Sequence, residues 1–486
     1  MPEPLLIEIS RPGRCAATLP ALDVPPADLP ADLLRDDLPL PEVGEADLVR
    51  HYTRLSQMNY GVDTGFYPLG SCTMKYNPKI NEEMARLPGF VHLHPYQDVE
   101  TIQGALALMF RLQEFLKAIG GFAAVSLQPA AGAHGELTGV LIMRAYHHDR
   151  GDTQRDVILV PDSAHGTNPA STTMSGLRVV EIPSDERGNV SLAALEAACA
   201  RHGEQLVGMM LTNPNTLGLF DEHLEQVVAL VHQHGGLMYG DGANLNALLG
   251  IVRPGDLGFD VLHYNLHKTF STPHGGGGPG SGPVGVAAHL ADFLPGPLVS
   301  VDPLRSEADD YFYDLYFPPK SIGRVKAFYG QFGVLVRAYT YIRMLGPDGL
   351  RRVAEHAVLN ANYLKSRIAG VYPVPYNRIC MHEFVCEGRF ADAPGVRALD
   401  ISKRLMDYGF HPPTNYFPLI VHEALMIEPT ETESKETLDA FADALLHIAE
   451  EARTQPELLH DAPHHAPVRR LDEVRAAKDL ILRWEQ

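Results

Sequence analysis

The stretch HYNLHKTFSTPHGGGGPGSG, residues 263–282, carries the clearest chemical signal in this 486-residue chain. Its only lysine, Lys268, follows His267 and precedes a loop with almost no side chains. A lysine amine condenses with aldehydes to form a Schiff base. The glycines allow a ligand to approach backbone N–H groups closely, as phosphate sites require. The stretch therefore indicates either an aldehyde-binding lysine beside an anion site or a surface lysine next to a flexible loop.

The charge balance argues against two classes of partner. The chain has 60 acidic and 40 basic residues, for a formal net charge of −20. This balance argues against nucleic acid or an anionic membrane surface as the main partner. The length predicts two or three domains, and the hydrophobic fraction of 45% is typical of a globular protein with a large core.

Cysteine and histidine usage argues against metal and disulfide frameworks. The five cysteines are sparse and form no CxxC pair, and the 23 histidines form no HExxH motif. We therefore predict no metal, and we expect a reducing compartment, namely the cytoplasm. The N-terminus does not resemble a secretory signal, and no run approaches 18 consecutive apolar residues, so no membrane span is expected.

Apolar runs and helical stretches alternate from about residue 120 to 330, which predicts a largely parallel sheet covered by helices, in an α/β domain. Residues 1–45 are rich in proline and predict an extended arm that packs over another surface, the alternative being a disordered tail. A helix over Val325–Leu345 is expected to join the α/β domain to a smaller α+β domain. The predicted divisions are 1–100 for the arm and its following segment, 101–330 for the cofactor-binding domain and 331–486 for the C-terminal domain.

Two predicted strand ends carry small residues beside a polar one. AGAHGE, residues 131–136, places Gly132, Ala133 and His134 at a strand-to-helix junction, where free N–H groups suit a phosphate and an imidazole could stack on an aromatic ring. YGDGAN, residues 239–244, places Asp241 two positions before Ala243. A carboxylate in such a position keeps a pyridine nitrogen protonated. Taken singly, AGAHGE is more typical of a helix start with close packing, and YGDGAN is more typical of an N-cap aspartate.

Two further strand ends offer polar donors. LTNPNTLG, residues 211–218, presents Asn213 before a proline, where its amide could hold a phenolic oxygen. DSAHGTNPAS, residues 162–171, presents Thr167 among other polar side chains. An Asn-Pro turn and capping residues are the ordinary interpretations. The irregular segment Gly65–Pro78, which contains Cys72, Thr73 and Lys75, is either a wall of the site or a connecting loop.

The order of these motifs is more specific than any one of them. Along the chain, a histidine in a small-residue turn is followed by an Asn-Pro turn and then by a strand-end aspartate with a small residue two positions later. Lys268 comes 27 positions after that aspartate. This order resembles that of fold-type I pyridoxal 5′-phosphate enzymes. The resemblance predicts a mostly parallel seven-stranded sheet flanked by helices, with the cofactor on Lys268.

Long motifs extend the resemblance to one family. HYNLHKTFSTPHGGGGPGSGPVGV, GSCTMKYNP, DSAHGTNPAS and MIEPTETESKETLD are similar to the glycine cleavage P-protein, in particular to its C-terminal half, which some organisms make as subunit 2. The similarity covers about residues 45–450. It implies that glycine is decarboxylated on pyridoxal 5′-phosphate and that the aminomethyl group passes to the lipoyl arm of H-protein.

The resemblance also implies residue roles and partners. Lys268 would hold the cofactor, Asp241 would sustain its pyridinium, and His134 would stack on the ring face opposite Ala243. Gly132, Ala133 and His267 are candidates for phosphate contact. A companion subunit 1 of similar fold is expected, in an assembly with two copies of each subunit. Another fold-type I aminotransferase or amino-acid decarboxylase, and a non-catalytic scaffold subunit, are the alternatives.

Overall fold

The computed structural model describes residues 3–35, 37–275, 278, 280–308 and 310–482. Residues 276, 277 and 279 of the glycine-rich loop lie outside the described residues, so phosphate binding by that part of the loop stays a prediction. Within the described residues, none of the helices combines the length and apolar character that crossing a membrane requires. All five cysteines belong to the described part and are free thiols.

The described strands fall into a large sheet and two small ones. They are β1 Ala124–Ser126, β2 Val157–Pro161, β3 Arg178–Ile182, β4 Leu206–Thr212, β5 Leu237–Gly242, β6 Val261–Tyr264, β7 Val284–Val286, β8 Leu298–Val301, β9 Tyr313–Tyr316, β10 Phe384–Glu387, β11 Thr414–Asn415 and β12 Ala424–Ile427.

The α-helices cover both the arm and the globular part. They are α1 Leu6–Ile9, α2 Glu45–Gln57, α3 Lys79–Ala85, α4 Pro88–Val91, α5 Gln103–Gly120, α6 Gly132–Asp149, α7 Thr167–Met174, α8 Leu192–His202, α9 Leu224–Gln233, α10 Phe332–Ile368, α11 Ala398–Asp407, α12 Lys435–Thr454, α13 Pro456–His460 and α14 Glu473–Lys478. Short 3-10 helices lie at Ala31–Leu33, Val99–Thr101, Gly203–Gln205, Leu245–Ala247, Pro254–Leu257 and Ala288–Phe293.

Seven strands form the large sheet in the order β1-β7-β6-β5-β4-β2-β3. The five strands from β6 to β3 in this order run parallel to their neighbours, and β7 is antiparallel to both β6 and β1. Strands β2, β4, β5 and β6 are buried along their whole length, because helices cover both faces of a parallel sheet. The predicted seven-stranded, mostly parallel sheet is confirmed.

Local sequence signals explain where several helices begin. Ser191 accepts a hydrogen bond from the Ala194 N–H at the start of α8, and Ser434 accepts one from the Thr437 N–H at the start of α12. Such caps satisfy one of the free N–H groups of a helix end. These two serines therefore give a local reason for the starts of α8 and α12.

The joining helix differs from its prediction. It begins at Phe332 rather than Val325, because Gly330 has a φ of 114°, which a helix cannot accommodate. It also continues to Ile368 across a kink at Gly346, where φ is 62° and Pro347 follows. Gly346 is not helical, so α10 consists of two helical segments, and the first ends next to the predicted end at Leu345.

The C-terminal part contains its own sheet and core. Strands β10, β12 and β11 pair antiparallel, with β12 in the middle. A hydrophobic cluster formed mainly by residues of α10 to α13 and these strands also includes Phe66, Leu217 and Leu219 from earlier in the chain. Segments that precede the predicted boundary at residue 331 therefore contribute to the C-terminal core.

The proline-rich arm is attached to the globular part at one end. Glu3 accepts hydrogen bonds from the Arg54 guanidinium and lies 3.0 Å from His51 Nδ1, which fixes the start of the arm on α2. Farther along, Leu19, Leu22 and Leu38 are exposed. These three side chains therefore do not insert into a groove formed by the described residues of this chain.

Candidate active site

Polar side chains gather where the parallel strands of the large sheet end. In the strand register, Asp241 of β5 lies between Thr212 of β4 and His263 of β6. Residues distant in sequence thus become immediate neighbours at one edge of the sheet. Ligands of open α/β sheets bind at this edge, beyond the carboxyl ends of the strands.

A cavity of about 170 Å³ opens at this edge. Seven of the nine predicted site residues line it: Gly132, Ala133, Thr167, Asp241, Ala243, His267 and Lys268. The other lining residues are Ser71, Glu136, His165, Thr212, Thr216, Asn244, His263 and Asn265. Lys268 and Asp241 therefore share one cavity, as the sequence hypothesis requires.

The structure does not bring the remaining two predicted residues to this cavity. His134 Nδ1 accepts a hydrogen bond from the Ala130 N–H at 3.1 Å, which turns the ring toward its own loop. Asn213 Oδ1 accepts from the Asp221 N–H at 3.0 Å. Asn213 lies behind Asp241, beside a much smaller cavity. The proposed stacking by His134 and phenolic contact by Asn213 are therefore not supported by the placement of these side chains.

Asp241 is held as a buried carboxylate. Its Oδ1 accepts the Ala243 N–H at 2.9 Å, and its Oδ2 accepts the Asn168 side-chain amide at 3.2 Å. Burial opposes ionisation, but His263, the Ala243 N–H and Lys268 outweigh it and lower the pKa of Asp241. A carboxylate that stays charged in a dry site can hold a proton on a neighbouring ring nitrogen.

His263 extends this arrangement into the core. Its Nε2 lies 3.4 Å from Asp241 Oδ1 and 2.7 Å from the Asn265 side-chain amide, and its Nδ1 lies 2.6 Å from the Tyr239 hydroxyl. Burial lowers the pKa of His263, although the charge of Asp241 acts in the opposite direction. His263 was not singled out from the sequence, because only strand register places it beside Asp241.

A second carboxyl group, Glu136, lies on the α6 side of the cavity. Thr167 Oγ1 donates to Glu136 Oε1 at 2.7 Å, and the Asn168 amide donates to Oε2 at 3.0 Å as well as to Asp241. Burial, and next the negative charge of Asp241, raise the pKa of Glu136 to about 7. Glu136 ends the AGAHGE motif, yet nothing in that motif distinguishes it from an ordinary acidic residue near the start of a helix.

The amine of Lys268 donates to the Ser71 carbonyl oxygen at 2.7 Å. Ser71 belongs to the irregular segment 65–78, so part of that segment does border the site. Lys75 does not line the cavity: its buried ammonium donates to Asn246 Oδ1, to the Thr269 carbonyl and to Glu431. Because Thr269 directly follows Lys268, Lys75 holds the backbone beside Lys268 in place.

Two histidines beside Lys268 are neutral. Burial, and next His274, lower the pKa of His267 to about 3, and burial lowers the pKa of His274 to about 4. His274 Nε2 lies 3.3 Å from the Cys72 thiol. Among the described residues that line the cavity, Lys268 is the only lysine or arginine.

Comparison with known proteins identifies the family of this chain. The family model described as glycine dehydrogenase, C-terminal domain, matches residues 353–465. The chain is 60% identical over 485 residues to the probable glycine dehydrogenase (decarboxylating) subunit 2 of Caldanaerobacter subterraneus subsp. tengcongensis, covering 99% of this chain and 98% of that protein. Its identity to the Pyrococcus abyssi protein of the same name is 58%, over 99% of this chain and 96% of that protein. The chain belongs to the glycine dehydrogenase (decarboxylating) subunit 2 family. It is therefore a member of an enzyme family.

Solved structures agree on the fold of this family member. An inhibitor-bound glycine decarboxylase (P-protein) of the glycine cleavage system superposes with a TM-score of 0.73 at 22% identity, covering 86% of this chain and 93% of that chain. A glutamate decarboxylase of Lactobacillus brevis superposes with a TM-score of 0.63 at 15% identity, covering 90% of this chain and 96% of that chain. The chain has the fold-type I architecture of the pyridoxal 5′-phosphate enzymes, as the order of its motifs predicts.

Proposed function

We propose that this chain is the cofactor-bearing subunit of a glycine decarboxylase and that Lys268 carries pyridoxal 5′-phosphate. The reaction would release CO2 from glycine and transfer the aminomethyl group to the lipoyl arm of H-protein. The observation that carries the proposal is the single cavity shared by the Lys268 amine and the Asp241 carboxylate. The names of the relatives support the substrate and the reaction.

The residues present fit this cofactor by their chemistry. The α6 helix begins at Gly132, and its first N–H groups suit a phosphate. The buried Thr212 hydroxyl lines the cavity without a hydrogen-bond partner among the described residues, so it is available to a ligand. Asp241 supplies a carboxylate for the ring nitrogen of the cofactor, and Lys268 supplies an amine for its aldehyde.

When bound, pyridoxal 5′-phosphate supplies an electron sink for the electron pair left by departing CO2. Asp241 would keep a proton on the ring nitrogen, and the Asn168 amide and the Ala243 N–H hold that carboxylate in place.

The family name also supports partners for this chain. The relatives are named subunit 2, so we propose a companion subunit 1 in an assembly with two copies of each. The exposed leucines of the arm, such as Leu19 and Leu22, offer apolar surface for such an assembly. The lipoyl arm of H-protein would reach the cavity past residues 65–78, the segment that contains Ser71.

Two measurements test the proposed function. Borohydride reduction of the full-length chain followed by peptide mass spectrometry should find a phosphopyridoxyl group only on the peptide that contains Lys268. The chain with its companion subunit and lipoylated H-protein should exchange labelled bicarbonate into glycine. Formation of pyridoxamine phosphate and a keto acid without H-protein would indicate an aminotransferase instead, and no labelled peptide would indicate a scaffold subunit.

Gly132 provides a steric test of the phosphate contact. A Cβ atom at Gly132 would collide with Asn265 Oδ1, whereas one at Gly166 would meet nothing within 4 Å. We expect Gly132→Ala to raise the dissociation constant of pyridoxal 5′-phosphate at least about tenfold, which corresponds to about 1.4 kcal/mol. The matched variant Gly166→Ala should bind normally in the same fluorescence titration. Equal affinities of the two variants would remove Gly132 from the phosphate site.

The two candidate stacking histidines can be separated by substitution. His165 lines the cavity, and His134 does not. We expect His165→Ala to weaken pyridoxal 5′-phosphate binding by about three- to tenfold, because an aromatic contact contributes about 0.5–1.5 kcal/mol. His134→Ala should leave the affinity unchanged. The reverse result in equilibrium titrations would restore the stacking role predicted for His134 from the sequence.

A further inference from the structure

Three titratable side chains meet outside the cavity, in the C-terminal part of the chain. His382 and Glu383 directly precede β10, and Glu428 directly follows β12. Because the strands pair antiparallel with Phe384 opposite Ile427, these residues arrive at the same end of the small sheet. All three side chains are fully buried, and one ligand-type atom of each lies within 4.8 Å of the others.

Most polar atoms of this cluster have no hydrogen-bond partner among the described residues. These atoms are both ring nitrogens of His382 and both carboxylate oxygens of Glu428. Two ionised carboxylates so close together in a dry interior would cost several kcal/mol, and one shared proton removes most of that cost. Glu383 is the better stabilised partner, since it accepts from the Ser71 N–H at 2.7 Å and the Asn244 amide at 3.3 Å.

The same Ser71 peptide connects Glu383 with Lys268. The Ser71 N–H donates to Glu383 Oε2, and the Ser71 carbonyl oxygen receives the Lys268 ammonium at 2.7 Å. Ser71 has a φ of 60°, a left-handed conformation that is unfavourable for serine. A fixed acceptor for its N–H is therefore needed to keep its carbonyl oxygen aimed at the amine.

The surrounding charges favour a proton over a divalent metal ion in the cluster. The titratable groups that interact with it are Cys72, Lys75, Lys268, Cys380 and Glu431. Two of them are ammonium groups, which would repel a divalent ion. Burial, and next the charge of Glu383, raise the pKa of Glu428 well above its usual range, and burial raises the pKa of Glu383 to about 7. Burial lowers the pKa of His382 to about 3, so its imidazole is neutral.

We propose that Glu383 is a positioning residue for Lys268, acting through the Ser71 peptide, and that it shares one proton with Glu428. The positioning role rests on the proposed function of Lys268, whereas the shared proton does not. With one shared proton, the pair carries a single negative charge that acts on Lys268.

Infrared spectroscopy of the full-length chain at pH 9 tests the shared proton. The wild-type chain should show the C=O stretch of a protonated carboxyl group, and Glu428→Gln should abolish it. The matched control is Glu433→Gln, because burial raises the pKa of Glu433 only to about 7, so its carboxyl group is ionised at pH 9. Absence of the band in the wild-type chain, or its persistence in Glu428→Gln, would overturn the pair. A stoichiometric metal ion in the wild-type chain that Glu428→Gln lacks would also overturn it.

A spectroscopic titration tests the positioning role. Glu383→Gln can still accept the Ser71 N–H but carries no charge. We expect the pH at which the absorbance of bound pyridoxal 5′-phosphate changes to fall by about one unit, because a protonated nitrogen at Lys268 loses a nearby negative charge. An unchanged pH midpoint with weaker binding would indicate a merely structural role and refute the positioning claim. If the wild-type chain binds no cofactor, the proposed function fails, and the infrared result still decides the shared proton.

Discussion

Replacing Lys268 by alanine is expected to abolish covalent attachment of pyridoxal 5′-phosphate and to lower bicarbonate exchange into glycine by roughly 10⁴-fold or more, as removal of a covalent catalyst does in other enzymes. The physical reason is that Lys268 is the only amine among the described residues of the cavity. Absorbance between about 330 and 430 nm, where the cofactor bound to lysine is expected to absorb, should disappear from the purified variant. Exchange assays with lipoylated H-protein measure the loss of activity.

Lys268→Arg is the charge-matched control for this experiment. Arginine retains the positive charge beside the Ser71 carbonyl but stays protonated and cannot act as a nucleophile. It should therefore keep the thermal stability of the wild-type chain more closely than Lys268→Ala while remaining equally inactive. Substantial exchange activity in Lys268→Arg would show that the lysine contributes charge rather than covalent attachment, and the proposed chemistry would be wrong.

Asp241→Asn is expected to lower the exchange activity by roughly 10³-fold, about 4 kcal/mol in transition-state stabilisation, while pyridoxal 5′-phosphate still attaches to Lys268. Asparagine can accept the Ala243 N–H as aspartate does, so the local geometry is retained. It cannot keep a ring nitrogen protonated, and the electron sink is lost. Rapid-quench or isotope-exchange kinetics, together with cofactor content, separate the loss of chemistry from a loss of binding.

Asp260→Asn is the matched control at the opposite end of the sheet. Asp260 is also a largely buried aspartate, but it directly precedes β6. Its Oδ2 accepts a hydrogen bond from the Met238 N–H and lies 2.7 Å from His232 Nε2. Its substitution should lower the unfolding temperature without changing the cofactor spectrum. If both variants lost activity equally, the effect at Asp241 would be one of stability, and its role at the ring nitrogen would be unsupported.

Much of the site could be predicted from the sequence because its chemistry is recorded in local motifs. Lys268 lies in a glycine-rich stretch, and Asp241 and Ala243 end one strand. The α6 start at Gly132 and Ala133 combines small residues with a strand-to-helix junction. Each signal depends on a few consecutive residues, so no knowledge of distant contacts was needed.

The residues that were missed or misplaced depend on contacts between distant segments. His165, rather than His134, lines the cavity, because the Ala130 N–H holds the His134 ring while β2 carries His165 to the sheet edge. Glu136 and His263 acquire their roles only from the proximity of Asp241. The start of α10 at Phe332 rather than Val325 likewise depends on the left-handed backbone of Gly330, which periodicity alone could not show.

By itself, the sequence determined the α/β class and the family, and it identified the amine and the carboxylate that line one cavity, since hydrophobic alternation and motif chemistry are properties of neighbouring residues. Only the tertiary structure decided which side chains complete the cavity and that Glu383, 115 positions beyond Lys268, is joined to it through Ser71. Strand register and burial set those contacts, and both arise only when segments far apart in the chain pack together.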